Sequence, residues 1–190
     1  MPNHFQRSPD ERLVIGITGH IGSGKTSIGH HLRSAYGFQY LRYSQVLSEW
    51  LAKDPESKSH LQEIGWEVMH GGKQAELNRR LIAQIAPGDD VAVDGLRHPI
   101  DYQRLKNSFL SSFHLLYIDS PAKDRWERLK GRGRYTNLGE FEAADAHPVE
   151  QQIDLLRTSA EKVIRNEGSL QDLYAILDEL VVNLRAEGHL

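Results

Sequence analysis

Gly19-His20-Ile21-Gly22-Ser23-Gly24-Lys25-Thr26 fits the pattern G-x-x-x-x-G-K-[ST]. Glycines at these places let the backbone turn with positive φ and bring bare N–H groups against phosphate oxygens. Lys25 then reaches β and γ phosphates, and the Thr26 hydroxyl is placed to ligate Mg²⁺. A helix that starts at the loop aims its N-terminus at the same anions. The expected nucleotide-binding residues are therefore Gly19, His20, Ile21, Gly22, Ser23, Gly24, Lys25 and Thr26.

The neighbouring sequence agrees. Leu13-Val14-Ile15-Gly16-Ile17-Thr18 is a short apolar run rich in β-branched residues, as in a strand buried on both faces. Behind the loop, Ile28, Leu32, Ala35 and Tyr36 recur at helical spacing, and Gly37 closes the helix. Strand, glycine loop and helix follow in the order the pattern requires.

Farther along, strand and helix signals alternate, which predicts an α/β protein: a parallel sheet with helices on both faces. Residues 38–43 form the second expected strand, and Ser44 is placed to cap a helix beginning Gln45-Val46-Leu47. Asp54-Pro55-Glu56-Ser57 breaks the chain. Leu61, Ile64, Val68 and Met69 keep helical spacing up to Gly71-Gly72, and Leu77, Leu81, Ile82 and Ile85 form the next stripe. Pro87-Gly88-Asp89-Asp90 is a turn. Val91-Ala92-Val93 is a short strand ending in Asp94-Gly95, and His98-Pro99 starts a helix. Residues 113–118 predict the fourth strand. Ser120-Pro121 reads as a cap and first-turn proline, and the helix after it carries Trp126 and Leu129 inward. Gly131-Arg132-Gly133-Arg134 ends that helix in a basic, flexible segment. Residues 135–147 are polar and acidic and specify no clear element. A helix over 149–157 and a last strand at Lys162-Val163-Ile164 follow. Ser169 and Asp172 have capping-box spacing before a terminal amphipathic helix bearing Leu170, Leu173, Tyr174, Leu177, Leu180, Val181 and Leu184.

The totals bound the rest. A chain of 190 residues with 39% apolar and 26% charged residues suggests one globular domain. The expected organisation is a loose polar tail over residues 1–12 and one domain over 13–190. A net charge of −3 supplies no global basic field for nucleic acid or anionic membrane, although it leaves a local patch open. The absence of cysteine removes disulfides and thiolate metal sites. No apolar run approaches the ~20 residues of a membrane span. Residues 1–12 also lack the apolar centre of a signal peptide. The expectation is a cytoplasmic monomer or homodimer without membrane contact.

Several side chains outside the loop suit phosphate chemistry. Asp94 stands at the C-terminal end of an expected central strand, where open α/β sheets bind ligands. A carboxylate there can orient a metal-bound water or accept the proton of an attacking hydroxyl. Arg97 can hold an anionic acceptor through a bidentate contact. Arg125, Arg128 and Arg132 are placed on one helical face opposite Leu129. Arg128, Arg132 and Arg134 suit the charge that spreads over a transferring phosphoryl group. Arg125 is expected to be solvated. The ten histidines form no zinc-like spacing and are expected at the surface, while Trp50, Trp66 and Trp126 are expected in the core.

Gly16-Ile17-Thr18-Gly19 through Thr26 resembles the opening of dephospho-coenzyme A kinases. Val93-Asp94-Gly95-Leu96-Arg97 is similar to the strand-end Asp-Gly…Arg of adenylate kinase-like enzymes. Asp119-Ser120-Pro121, Arg125, Arg128-Leu129 and Arg132-Gly133-Arg134 look like their lid helix and lid. Lys162 through Leu170 resembles the Asn-(Asp/Glu)-Gly-Ser-Leu segment shared by dephospho-coenzyme A kinases and phage-type deoxynucleoside monophosphate kinases, and Leu61-Gln62-Glu63-Ile64-Gly65 is similar to the latter group. The resemblance implies a P-loop kinase: a three-layer α/β/α P-loop NTPase fold with a five-stranded parallel sheet, a small mobile lid at about 131–148, ATP and Mg²⁺. It also implies Asn166 and Gly168 near the adenine.

One departure bears on the acceptor. Such kinases often carry Ser/Gly-Asp-x-x-Arg after the second strand, and here the stretch is Ser44-Gln45-Val46-Leu47-Ser48. Ser44 is kept, the aspartate and arginine are absent, and Arg42 is the nearby residue left to hold the acceptor's phosphate. The leading expectation is an ATP-dependent kinase of a nucleotide or nucleotide-like acceptor, foremost a (deoxy)nucleoside monophosphate. In that scheme Lys25, Asp94, Arg128 and Arg132 are catalytic, Thr26 and Asp94 hold the metal, and Arg42, Ser44, Arg97 and Arg134 bind the acceptor. Two other acceptors fit the same chemistry: a hydroxyl on a larger molecule, such as a hydroxymethylated base in phage DNA, and dephospho-coenzyme A. A nucleotide-binding switch without an acceptor is the alternative of another class.

Overall fold

Five short apolar runs become the strands of one sheet: β1 (Val14–Thr18), β2 (Gln39–Arg42), β3 (Val91–Leu96), β4 (Phe113–Asp119) and β5 (Lys162–Arg165). The computed structural model describes residues 12–51 and 58–187, with the backbone alone at 58–60. The expected tail before Arg12 and the break at 54–57 lie outside the described residues. The strand order is β2-β3-β1-β4-β5, and every pairing is parallel. All the strands therefore end at one edge. β1 lies at the centre with all five residues buried.

The sheet divides its side chains between two cores, as period-two alternation requires. On one face Val14, Val91, Val93 and Phe113 pack with α2 (Tyr43–Leu51), α3 (Lys58–His70), α4 (Gln74–Ile82) and α5 (Pro99–Phe109). On the other, Ile15, Ile17, Leu116 and Ile164 pack with α1 (Lys25–Tyr36) and, across the 170–187 stretch, with Leu173, Leu177 and Val181 of the terminal helix. This is the three-layer α/β/α arrangement. Gly16 faces the first core, where a Cβ would come within 2.8 Å of the Phe113 ring. Between β4 and β5 the chain runs through α6 (Ala122–Gly131), α7 (Leu138–Asp145), α8 (Pro148–Gln151) and a 3₁₀ stretch at Gln152–Ser159, before α9 (Leu170–Glu187). A third small core of Ile21, Leu129 and Phe141 joins the loop after β1 to α6 and α7.

Local sequence accounts for most boundaries. Gly37 takes φ 76° and returns its N–H to the Arg33 carbonyl, which closes α1. His98 and Asp101 form a reciprocal capping box ahead of Pro99. Asn137 accepts from the Glu140 N–H and starts α7 in the stretch that had specified no element.

Some local expectations give way to tertiary demands. α2 begins at Tyr43, two residues earlier than expected. Ser44 therefore lies in its first turn, where its carbonyl accepts from Ser48 Oγ. Ser120 does not cap α6. Its hydroxyl donates to the Asn166 carbonyl at 2.9 Å, and Pro121 occupies the cap position. The single helix expected over 149–157 is a short α-helix followed by a 3₁₀ segment. Ala35 and Leu170 are exposed, and the buried faces start at Ile28 and Leu173. The three tryptophans are half-buried, Trp50 against the first core, Trp126 against the third and Trp66 against the His70 ring. Among the described residues no helix is long and apolar enough to cross a membrane, and no histidine–carboxylate group could hold a metal ion.

Candidate active site

The strand ends at the carboxyl edge of the sheet build the site. Thr18 ends β1, and its Oγ1 donates to the Leu96 carbonyl of β3 at 2.7 Å, where the ladder register shifts. The chain then turns through Gly19 at φ 140°, and a Cβ there would lie 2.5 Å from the Ile118 carbonyl oxygen. Glycine is thus required for both backbone angle and space. Gly24 is the second such position, with φ 109° and a Cβ that would meet Asn166 Nδ2 at 2.5 Å. Asn166 closes that contact by donating from Nδ2 to the Ser23 carbonyl at 2.7 Å.

Lys25 folds back over the loop, its Nζ donating to the carbonyls of Gly19 at 2.6 Å and His20 at 2.9 Å. It keeps some surface on the adjoining cavity but is enclosed by protein. Burial pulls its ammonium down to about 8, against the opposing pull of the Asp94 and Glu150 carboxylates. Asp94, buried in β3, accepts at Oδ2 from the Tyr40 hydroxyl at 2.7 Å and from Thr26 Oγ1 at 3.4 Å. A hydroxyl and a carboxylate side by side at the start of a helix form an oxygen donor set suited to a hard divalent cation such as Mg²⁺. Tyr40 can approach because α1 carries Gly29 opposite it, where a Cβ would lie 2.1 Å from the ring. Burial and the Asp94 charge raise the Tyr40 phenol, so it stays a donor.

A cavity of about 270 Å³ opens beside the loop. Lys25, Thr26 and Asp94 line it together with Arg42, Ser44, Arg97, Arg132 and Arg134. Leu47, Leu61, Met69 and Leu77 supply an apolar wall. The edge strand brings Arg42 in because it stands in register with Asp94. These expected site residues therefore share one chamber.

Other expected residues stand outside it. Arg128 donates to Ser120 Oγ and to the Asn166 carbonyl, both at 2.8 Å, and so braces the turn after β5. Asn166 is buried against the loop, while Gly168 is exposed beside Asp172. Arg125 corrects the expectation of a solvated arginine. It is 5% exposed, donates to the Ile21 and Ser120 carbonyls, and pairs with Asp145 at 2.8 Å. Four residues before Leu129, it shares that residue's inward face and does not stand opposite it.

Sequence reasoning missed the residues that surround the loop from outside. Glu150 is fully buried, accepts from the Ile21 N–H at 3.0 Å and from Gln62 Nε2 at 3.1 Å, and pairs with Arg97. Burial pushes its carboxyl up, but Arg97 and Lys25 outweigh that and hold it below the ordinary carboxylate value. His20 bonds Asp154 at 2.9 Å and lies 3.6 Å from Asp145. The Asp145 contact leads the causes that raise its imidazole above the ordinary value. Asp145, although burial opposes it, is drawn down to about 2 by His20 and Arg125. The expectation of a plain surface histidine thus fails for His20. No local pattern announces these partners, because Glu150 lies 129 residues from Ile21.

Comparison with known proteins adds the family. A model of the AAA domain family matches residues 15–149. Similar proteins include a UPF0200 protein of Sulfurisphaera tokodaii, 25% identical over 88% of this chain and 95% of that protein. A dephospho-CoA kinase of Thermus thermophilus is 27% identical over 90% of this chain and 92% of that protein. Among solved structures, shikimate kinase from Acinetobacter baumannii in complex with shikimate superposes with a TM-score of 0.60 at 20% identity, covering 90% of this chain and 94% of that one. That likeness concerns the fold, which is the P-loop kinase arrangement of a five-stranded parallel sheet between helices.

Proposed function

The chain belongs to the AAA domain family, and from that premise we propose that it is an ATP-dependent phosphotransferase that moves a γ-phosphoryl group to a nucleotide-like acceptor, foremost a (deoxy)nucleoside monophosphate. The observation that carries this reading is the shared cavity: Lys25, Thr26 and Asp94 line one space together with Arg42, Arg97, Arg132 and Arg134. A binding switch needs the first group alone. Arginines in the same cavity as the phosphate loop suit a second anion and the charge of a moving phosphoryl group.

One domain over residues 13–190 would carry the reaction. The loop N–H groups other than those of Ile21, held by Glu150, and Ser23, held by the His20 carbonyl, would hold the β and γ phosphates together with the Lys25 ammonium. Thr26 and Asp94 would hold Mg²⁺, which when bound neutralises phosphate charge and orients the oxygens. Asp94 Oδ2 is engaged by Tyr40 and Thr26, so Oδ1 would be the oxygen to accept the proton of an acceptor hydroxyl. Arg97, Arg42 and Ser44 would hold the acceptor against the apolar wall. Arg132 and Arg134, at the root of a lid over about 131–148, would cover the transferring group and exclude water. Asn166 and Gly168 would lie near the adenine, and Arg128, expected over the transferring group, would reach it only by leaving Ser120 and the Asn166 carbonyl.

The Thermus relative named a dephospho-CoA kinase supports a second acceptor, dephospho-coenzyme A. Labelled ATP incubated with nucleoside monophosphates, dephospho-coenzyme A and hydroxymethylated DNA separates the readings. Label on a monophosphate is expected. Label on dephospho-coenzyme A alone would move the acceptor assignment, and label released only as free phosphate would refute the transferase reading.

A further inference from the structure

We propose that Glu150 is a positioning residue: its buried carboxylate fastens the Arg97 guanidinium to the Ile21 N–H of the phosphate loop, so that acceptor side and donor side face each other at fixed spacing. The inference rests on the function proposed above and adds a residue that no motif marks.

The geometry is specific. Glu150 Oε1 takes the Arg97 Nη1 pair and the Gln62 amide, while Oε2 takes the Ile21 N–H. One carboxylate thus joins β3's end, α3 and the phosphate loop. Arg97 keeps 29% of its side chain exposed on the cavity, whereas Glu150 has none. The ion pair therefore fixes one edge of the guanidinium fork and leaves the rest turned to the chamber. The next peptide of the loop is also held, since Arg125 donates to the Ile21 carbonyl at 3.1 Å.

Two other roles fit poorly. A general base must reach the proton it takes and have a value near the working pH. Glu150 has no exposed surface, and its pairing with Arg97 favours the ionised form. A purely stabilising pair is a weak explanation as well, because a buried ion pair seldom outperforms apolar packing of the same volume. Orientation explains what bulk stability does not: an arginine fork without a fixed partner samples many rotamers, and small misplacements in a transfer geometry cost much rate.

The test is a double-mutant cycle with Glu150→Gln and Arg97→Ala, read as kcat and KM for the acceptor that the labelled-ATP panel identifies, with Mg·ATP binding followed by calorimetry. Glu150→Gln keeps the shape and removes the charge. It is expected to lower acceptor kcat/KM by about 100-fold, with Mg·ATP affinity changed less than about threefold. In the Arg97→Ala background the same change should cost less than about threefold, because the effect runs through Arg97. Equal losses in both backgrounds, or a loss confined to Mg·ATP binding, overturn the proposal. If Glu150→Gln does not fold, Arg97→Lys decides: it keeps charge at the cavity rim but loses the fork. Its acceptor kcat/KM should fall while its melting temperature holds, and unchanged acceptor kinetics overturn the proposal. Failure of the broader reading looks different, since the wild-type protein would then label no acceptor at all.

Discussion

The phosphate loop and the segment 145–154 treat charge in opposite ways. The loop works with backbone: glycines at positive φ and one lysine. The later segment works with side chains: Asp145, Glu150 and Asp154 place three carboxylates against His20, Ile21 and the Arg125 that holds Ile21. One makes a receptor for anions, and the other lays anions along its outer rim. The difference teaches that the glycine pattern sets what the loop can bind, while distant carboxylates hold the loop from outside and, through Glu150, tie it to Arg97.

The largest expected effect removes the loop's own charge. Lys25→Met should lower phosphoryl transfer at least about 1,000-fold, equivalent to about 4 kcal/mol of transition-state stabilisation. The fold should persist, because burying a methionine in place of a partly desolvated ammonium costs little. Labelled-ATP turnover and a thermal melt measure the two parts. Transfer at the wild-type rate would mean that the loop does not carry the donor.

The next effect strikes the outer rim. Arg125→Met leaves the partly buried Asp145 without its guanidinium and frees the Ile21 carbonyl, which should cost about 3 kcal/mol of stability. If the rim shapes the loop, Mg·ATP affinity should also fall by about tenfold, or about 1.4 kcal/mol. A urea titration and calorimetry separate the outcomes. Lost stability with intact affinity would show that the loop holds its own shape, and the contrast drawn above would fail.

How far each region could be read in advance follows from the range of its contacts. The loop, β1 and α1 read locally: the turns at Gly19, Gly24 and Gly37 and the reach of Lys25 follow from spacing within a few residues, although Ile118 and Asn166 also crowd Gly19 and Gly24. Asp94 and Arg97 are legible because strand ends in a parallel sheet converge, so topology alone brings them to the loop. Glu150, Tyr40 and Asp145 have no such signal. Tyr40 reaches Asp94 only because Gly29 leaves room on another element. Arg125 misleads for the opposite reason: arginine in a charged run reads as solvated, and its burial depends on a carboxylate 20 residues later. Ser44 and Ser120 show the same limit on a smaller scale, since each has cap-like sequence and each hydroxyl or carbonyl is used otherwise.

A smaller effect tests the loop through protons. Enclosure lowers the Lys25 ammonium to about 8, so it begins to lose its proton above that pH. A bound polyphosphate favours the charged form, and nucleotide uptake above pH 8 should therefore draw in a proton. Mg·ATP affinity should fall by up to about tenfold per pH unit above 8, or about 1.4 kcal/mol. Calorimetry in buffers of different ionisation heat counts the proton. Affinity that rises with pH in this range would place Lys25 away from the phosphates.

The smallest expected effect reads the rim at the one loop residue whose charge it sets. His20 is raised by its carboxylate partners, the reverse of Lys25. A raised value means that the folded state binds the proton more tightly, so the stabilising contribution is complete below the unfolded value near 6.5 and vanishes as pH climbs through the folded value. Asp145, drawn down to about 2, stays ionised across this window and does not blur the signal. Because Asp154 is 58% exposed, screening keeps the pair modest, and wild type should exceed His20→Gln by only about 1 kcal/mol at pH 5.5. That margin should shrink steadily toward pH 8.5 in urea titrations. A margin that grows with pH would mean a neutral imidazole in the folded loop, and the rim would then act on His20 by shape and not by charge.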